Sequence, residues 1–520
     1  MTKRSQPTQL PNLENTNVTI SLTSFEEKLF NRLLTVCKHY SLETTIRVAG
    51  GWVRDKLLGK ESNDIDLALN DMLGSTFGKY VNRYQTEVLK EKESTMAIIK
   101  SNPNLSKHLE TTRMKIFGQW IDFANLRSDD FAKEEVEEME KLKEKEKETE
   151  NTKGKEKVKV KESEEEKVKG LLNNKEKKLG INTKGKKINF GDPTTDAHRR
   201  DLTINALFYN IHSKSVEDFT GYGLSDLKKR IIRTPLPPLE TFGDDPLRIL
   251  RLIKYYTRYG FQIHQETAKS VRNEKLLHAL RTNISKERIY SELQSILSGE
   301  SALKGFKKMC KLNIYSAVFY HPDYYQESFP QTALNNLKKL KTYLSDVPKI
   351  RTPAIILGCL LLPYCKFVLK KKKNNIQMSN VILFQNLCFP KKLSSQVGLL
   401  HRGINHFIQI LPTIDEISRS DLGLILRTYK ESWLDIIILS KIYSPNSGNF
   451  NKITQKVNDY QLNEAWNVRP LLNGGDIKRI LQVKKGALIG KAIQAAFKHQ
   501  LDFPNLQKKD LEEFISNSFK

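Results

Sequence analysis

Asp64 and Asp66 flank Ile65 and are followed by Leu67. The two-residue period of a strand puts both carboxylates on one face. Adjacent carboxylates repel unless a cation joins them. Oxygen donors on a rigid strand suit Mg²⁺, which takes one or two protein carboxylates and fills its shell with water and substrate phosphate. Upstream stands Val48-Ala-Gly-Gly-Trp-Val-Arg-Asp55. Gly50 and Gly51 let the backbone turn tightly beside a bulky anion, and Arg54, a few residues into the expected helix, reaches that anion with a planar fork of donors. A phosphate-handling turn feeding a metal-binding strand implies group transfer at a nucleoside triphosphate. Taken singly, a Gly-Gly pair is more often a plain turn and Asp-x-Asp a solvated surface; their order and spacing carry the reading.

Three further segments hold polar groups where local structure would aim them. Asp122 lies inside the strand-like run from Trp120 to Leu126 and is the candidate third carboxylate, with a sheet-edge cap or a pair with Arg127 as the alternative. Arg199 and Arg200 precede an expected helix capped by Asp201, where the helix dipole also favours phosphate. Asn205, one turn beyond Asp201, would share with it a ribose hydroxyl; the ordinary alternative is a cap beside a core-flanking Asn. In Asp244-Asp-Pro-Leu-Arg248, Pro246 suits the first helical position, which makes Asp245 the cap and sets Arg248 over the same face. Arg251 continues that row, and Ile249, Leu252 and Ile253 supply the buried side. A carboxylate beside a guanidinium accepts from the exocyclic amine of cytosine or adenine and donates to the adjoining ring nitrogen, whereas the carbonyls of uracil and guanine would face the carboxylate unfavourably. The alternative is a salt bridge beside a cap.

The rest of the chain must position these groups. At 520 residues, several domains are expected. A net charge of +26 from 86 Lys and Arg points to a polyanionic partner, nucleic acid first. The longest apolar run, from Pro353 to Cys365, is too short to span a bilayer. Five scattered cysteines, Cys37, Cys310, Cys359, Cys365 and Cys388, lack metal-ligand spacing and fit reduced thiols. Residues 1–23 read as disordered, and Ser24 as the cap of a helix with Phe25, Leu29, Leu33 and Val36 on one face. Residues 74–118 show weak periodicity. A Lys/Glu-rich insertion at about 133–188 has no apolar pattern and reads as a tether. Residues 218–230 form a turn-rich hinge. Beyond Gly260, residues 276–297, 302–310 and 334–344 show helical spacing with exposed lysines, and Lys370 opens a basic run through Lys373.

The order strand, Gly-Gly, helix, Asp-x-Asp resembles the polymerase-beta nucleotidyltransferase superfamily. Added to Arg199-Arg-Asp-Leu-Thr-Ile-Asn-Ala206, Asp244-Asp-Pro-Leu-Arg248 and Ser285-Lys-Glu-Arg-Ile289, it is similar to the ordered motifs of the class II CCA-adding enzymes, the tRNA nucleotidyltransferases. Lys107-His-Leu-Glu110 and Asp122-Phe-Ala-Asn-Leu-Arg127 look like the fungal branch, and Arg469-Pro-Leu-Leu-Asn-Gly-Gly-Asp-Ile477 is also in its style. The resemblance implies an α+β fold, with a mixed-sheet nucleotidyltransferase head at 24–222, then helical neck at 223–300, body at 301–450 and tail at 451–520. It implies addition of C, C and A to the tRNA 3′ end from CTP and ATP, with two Mg²⁺ ions on Asp64 and Asp66. Gly51, Arg54 and Arg200 would then meet the triphosphate, Asp201 and Asn205 the sugar, and Asp245 and Arg248 the base, supported by Arg251 and Lys254. Asp244 and Lys254 depart from the family's usual Glu and Arg, which bears on neighbouring phosphate contacts. The expected partner is tRNA, gripped at its acceptor and TΨC arms, with no membrane and no obligate protein partner. The alternatives are a related poly(A) polymerase and a catalytically silent tRNA-binding or chaperone protein. The expected location is cytoplasm and nucleus; the first residues carry Lys3 and Arg4 and no acid before Glu14, which adds a mitochondrial pool.

Overall fold

The computed structural model describes residues 20–99, 111–126, 190–299, 301–345, 353–370, 375–483 and 486–519. The Lys/Glu-rich insertion, Arg127, Lys107 to Glu110, Lys371 to Lys373 and nearly all of the N-terminal segment lie outside them. The chain divides into two compact units, Met1–Val271 and Arg272–Lys520.

In the first unit, the cap of α1 (Ser24–His39) falls one residue earlier than expected. Thr23, not Ser24, is the cap, because Glu26 three residues on closes a reciprocal capping box with it. Glu26 does more than close the cap. Its buried carboxylate also accepts from the Trp52 indole at 2.8 Å and pairs with Lys56 at 2.8 Å. The first helix is thereby tied to α2 (Gly51–Leu57), which follows β1 (Ile46–Ala49). Next come β2 (Asp66–Leu69), α3 (Gly74–Arg83), β3 (Met96–Ile99), β4 (Thr111–Ile116) and β5 (Gln119–Asn125), so among its described residues the weakly periodic stretch resolves into a helix continued by a π-helical turn at Tyr84–Val88 and two strands. After the undescribed insertion come α4 (Pro193–His198), β6 (Phe208–Asn210) and β7 (Ser215–Glu217).

One seven-stranded sheet results, in the order β3-β4-β5-β2-β1-β6-β7. Its neighbours are antiparallel except β2 and β5, whose parallel register sets Asp66 opposite Asp122. Val48, Leu67, Ile121 and Phe123 pack into the core, and Trp52 lies against Phe30 and Tyr209.

The expected hinge is partly helical: α5 (Gly223–Lys229) begins where the Asp218 carboxylate accepts from the Thr220 and Leu224 amides. The side chain of one acid satisfies amides that the turn leaves open, a signal that turn-rich composition masks. The short β8 (Ile231–Ile232) follows, then α6 (Pro238–Asp244), α7 (Arg248–Tyr259), β9 (Gln262–Ile263), which pairs with β8, and α8 (Gln265–Ser270).

The second unit is built of helices with one small β-ribbon at Val368–Lys370 and Asn375–Gln377. The periodicity at 276–297 splits into Glu274–Thr282 and Lys286–Leu297, because Asn273 and Ser285 each cap a helix. The apolar run becomes the buried helix Pro353–Leu360; among the described residues no helix is long and apolar enough to cross a membrane. Helix Lys391–Ile410 packs on Trp433–Tyr443 across Gly403. The last three helices, Gly474–Leu481, Ala487–Asp502 and Lys508–Phe519, enclose their own core of Leu472, Ile477, Ala492, Ala496, Leu511 and Ile515.

A Cβ at Gly403 would meet both Cδ1 and Cγ1 of Ile436, the latter at 2.9 Å, and a β-branched side chain cannot withdraw from both. Gly403→Ala is therefore expected to lower stability by about 1–3 kcal/mol. Gly490 is exposed in helix Ala487–Asp502, and a methyl group there would meet no heavy atom within 4 Å. Gly490→Ala is expected to raise stability by about 0.5–1 kcal/mol. Thermal unfolding of both variants beside the parent checks the opposite signs.

Candidate active site

Asp64 and Asp66 are exposed while Ile65 and Leu67 are buried, so the expected alternation holds, although regular strand begins only at Asp66. Asp66 keeps an accessible face although protein atoms crowd its carboxyl. That crowding, then the nearby charges of Asp64 and Asp122, raises its carboxyl to about 6, against the lowering pull of Arg200 and Arg113. Asp122 joins the cluster because β5 runs parallel beside β2. Its two oxygens are held by the Arg113 fork at 2.7 and 2.8 Å, a cross-strand pair from β4. The partner that sequence suggested, Arg127, lies outside the described residues. Among those residues no three His, Cys, Asp or Glu side chains form a ready-made cage for a metal. The donor set still fits Mg²⁺, which needs only one or two carboxylates from the protein, and Asp64 and Asp122 add negative charge around Asp66.

Gly50 sits at φ +70° between β1 and α2. A Cβ there would come 2.7 Å from the Arg200 guanidinium and 3.2 Å from the Asn205 carbonyl. Glycine is required here by conformation and by space together. Gly51 opens α2, where backbone N–H groups are unpaired within the helix.

Arg200 and Asn205 do not stand as expected. The chain forms α4 before the arginines, leaving Arg199 at its C-terminal cap and Arg200 just beyond, so the dipole argument for an N-terminal phosphate site fails. The reason is Asp192, whose side chain caps α4 from ahead by accepting from the Thr194 and Thr195 amides. Asp201 caps no α-helix; residues Thr203–Asn205 form a single 3₁₀ turn. Its side chain nevertheless reaches Asn205 Nδ2 at 2.9 Å and Arg251 Nε at 2.8 Å. Burial alone would raise the Asp201 carboxyl, but the Arg251 charge and the Asn205 amide outweigh it and hold it below the usual range. Arg200 is oriented by Asp196, one helical turn earlier, at 2.8 Å, and donates to the Asn205 carbonyl at 3.3 Å.

Arg54 is the larger surprise. It is 3% exposed, and its fork, expected to face an anion, closes on the Asp55 carboxylate with two bonds of 3.0 Å and on the Asn205 amide. Its guanidinium lies 5.1 and 4.9 Å from the ring centres of Tyr255 and Tyr259. Tyr259 in turn donates to Asp55 at 2.6 Å.

Asp245 ends α6, and α7 starts at Arg248, two residues after the expected first position. The capping chemistry survives: Asp245 Oδ1 accepts from the Leu247 amide at 3.1 Å and its carbonyl from the Arg248 amide at 3.0 Å. Arg248 is held by the carbonyls of Thr241 at 3.0 Å and Arg199 at 2.7 Å, and approaches the Asp244 carboxylate only at 3.9 Å. Arg251 reaches Asp201, and the Lys254 ammonium lies 5.4 Å from the Tyr255 ring centre.

Sequence reasoning missed Asp55, Arg113, Asp196, Tyr255 and Tyr259. Asp196 was readable, four residues before Arg200 on a helix, and so was the row Arg251, Tyr255, Tyr259 at four-residue spacing. Arg113 depends on a strand register that local pattern does not give.

Residues 46–233 match the family described as Poly A polymerase head domain, and residues 260–326 the family described as Probable RNA and SrmB- binding site of polymerase A. The tRNA nucleotidyltransferase of Schizosaccharomyces pombe is 30% identical, over 94% of this chain and 95% of its own. The CCA tRNA nucleotidyltransferase, mitochondrial, of Saccharomyces cerevisiae is 28% identical, over 95% and 92%. In fold, the chain is similar to the Thermotoga maritima CCA-adding enzyme complexed with tRNA, at a TM-score of 0.58 and 18% identity, over 96% of this chain and 97% of that one.

The Asp201–Arg251 pair generates a pH-dependent expectation. Arg251→Ala should destabilise the first unit by about 1–2 kcal/mol at pH 7, a figure below that for a fully buried pair because the Arg251 side chain is 34% exposed. Since the folded-state value of Asp201 is depressed, its stabilisation is present above the unfolded carboxylate pKa of about 3.9 and is lost as pH falls through the folded value. Denaturant unfolding should therefore show a constant gap between parent and variant from pH 7 to 5 that narrows below about 4.

Proposed function

The chain belongs to the tRNA nucleotidyltransferase family, and on that premise we propose that it adds C, C and A to the 3′ end of tRNA from CTP and ATP, releasing pyrophosphate. The observation that carries the chemistry is the meeting of an exposed carboxylate pair, Asp64 and Asp66, with Arg200 beside a glycine turn. Mg²⁺ ions held by Asp64 and Asp66 would lower the pKa of the terminal 3′-hydroxyl and neutralise triphosphate charge, which favours in-line attack on the α-phosphorus. The carboxylates then need not act as general bases. Arg200 and the amide at Gly51 are assigned to the triphosphate, with Gly50, whose own amide donates to the Leu207 carbonyl, leaving room for the guanidinium. Arg54, being buried, acts by fixing the Asn205 amide, while Asp201 and Asn205 define the sugar position. Asp122 belongs to the charged cluster as a third carboxylate whose engagement requires Arg113 to release it.

Asp245 and Arg248 are assigned to the incoming base. Main-chain carbonyls orient the Arg248 fork without neutralising it, so it keeps its charge for a ring acceptor, and the neighbouring carboxylate favours an exocyclic amine. On their Watson–Crick edges cytosine and adenine present that pair of groups, whereas uracil and guanine present a protonated ring nitrogen beside a carbonyl.

The second unit supplies a cationic surface for the tRNA acceptor and TΨC arms. On helix Ala302–Lys311, partial burial and then the like charges of Lys341, Lys311 and Lys338 push the Lys307 ammonium below its ordinary range. A phosphate backbone would relieve that repulsion and release counterions. For location, a mitochondrial pool is supported by the relatives named as mitochondrial, such as that of Saccharomyces cerevisiae, and cytoplasm and nucleus are assigned as further sites of the activity.

The first test uses tRNA lacking its last three nucleotides. Growth by two residues with CTP alone and by three with CTP plus ATP is the expected result. A long ladder from ATP alone would assign poly(A) synthesis, and no growth would leave a silent RNA-binding protein. Asp64→Ala and Asp66→Ala should abolish incorporation with the fold intact, and Asp245→Ala or Arg248→Ala should relax discrimination against UTP and GTP. Lys307→Ala with Lys341→Ala should weaken tRNA binding and reduce the slope of log affinity against log salt by about 1–2, read from titrations at several salt concentrations.

A further inference from the structure

The face of α7 that carries Arg251, Tyr255 and Tyr259 at four-residue spacing closes over the buried Arg54 guanidinium, and the contacts run on from there in a chain. Tyr259 Oη donates to Asp55 Oδ1 at 2.6 Å. Asp55 accepts two bonds of 3.0 Å from Arg54, and Arg54 Nη1 donates to the Asn205 side-chain oxygen. The Asn205 carbonyl accepts from Arg200 Nη1 at 3.3 Å, and Arg200 is among the charges that act on Asp66. We propose that Tyr259 is a positioning residue for nucleotide binding, holding Arg200 and Asn205 in place through Asp55 and Arg54.

Each link has a reason to be directional. A guanidinium offers donors in one plane, so rotating Arg54 about its stem would break either the Asp55 bonds or the Asn205 bond. Asp55 gives both oxygens to Arg54, with Arg258 at 3.6 Å, and the tyrosine hydroxyl at 2.6 Å is a further, shorter anchor that holds Oδ1 in the plane of the guanidinium fork. Tyr255 and Tyr259 are stacked 8° from parallel with ring centres 6.1 Å apart, and both rings lie near the Arg54 cation. The ring of Tyr259 thus serves packing and its hydroxyl serves orientation, which lets the two be separated experimentally. The base-selecting residues lie at the opposite end of the same helix. The hydroxyl therefore bears on how tightly any nucleotide is held and not on which base is chosen.

This inference rests on the nucleotide-site reading above, and the test keeps the two apart: incorporation by the parent protein decides the reading, and comparison of variants decides the inference. Tyr259→Phe keeps the ring and removes the hydroxyl. It is expected to raise KM for CTP and for ATP by about fivefold each, with kcat within about twofold, discrimination against UTP unchanged, and the unfolding temperature unmoved. Asp55→Asn should raise KM further, and the Tyr259→Phe/Asp55→Asn double variant should be no worse than Asp55→Asn alone, because the hydroxyl acts only through that carboxylate. An unchanged KM in Tyr259→Phe, effects of the two changes that multiply, or a KM rise accompanied by a matching loss of folded protein would each overturn the proposal.

Discussion

A buried guanidinium is tolerable only if every direction in which it can donate is met, and Arg54 imposes that condition on this fold. It is 3% exposed, and it draws its partners from three separate segments: Asp55 beside it, Asn205 on the 3₁₀ turn, and the tyrosine rings of α7. Burial opposes the charge, while the Asp55 bond and the adjoining tyrosines favour it, and the latter prevail. The requirement docks α7 against the edge of the sheet domain, and α7 carries Arg248 and Arg251 with it. A local need to satisfy one cation thereby bears on the distance between the Arg248 end of that helix and the strand that bears the carboxylates.

The carboxylate cluster answers to the opposite constraint. Asp64, Asp66 and Asp122 gather like charge where β2 and β5 run parallel, and Arg200 and Arg113 act against it. A divalent ion with phosphate ligands would relieve the repulsion in such an arrangement. The same logic recurs in the second unit, where Lys307 sits among Lys311, Lys338 and Lys341. One unit concentrates negative charge at a point suited to a hard cation, and the other concentrates positive charge over a surface suited to a polyanion.

Small side chains serve these constraints by absence. Gly50 leaves the Arg200 guanidinium its place and adopts a backbone angle that other residues resist, and Gly403 brings two helices of the second unit closer than a methyl group would permit. At both positions a Cβ would strike a neighbour, and at Gly50 the backbone angle adds to that requirement.

The amino-acid sequence by itself determined the elements and the chemistry they carry. Strict alternation about Ile65 marked the exposed carboxylates, Gly-Gly marked the turn, and the Pro246 neighbourhood marked a helix start to within two residues, the helix opening at Arg248. These are short-range properties, set by the period of a strand, the freedom of glycine and the fixed angle of proline, so a few neighbouring residues suffice to specify them. What only the tertiary structure decided was pairing. Asp122 became part of the cluster through the parallel register of β5 with β2, and was claimed by Arg113 rather than by a sequence neighbour. Arg199 and Arg200 fell at the end of a helix instead of before one, because Asp192 capped the chain upstream. Arg54 turned inward to Asp55, Asn205 and two tyrosines some 200 positions away along the chain. The reason is physical: whether a charged side chain faces a ligand or an internal partner depends on which groups from distant segments share its low-dielectric surroundings, and that is known only once strand order and helix docking have brought them together.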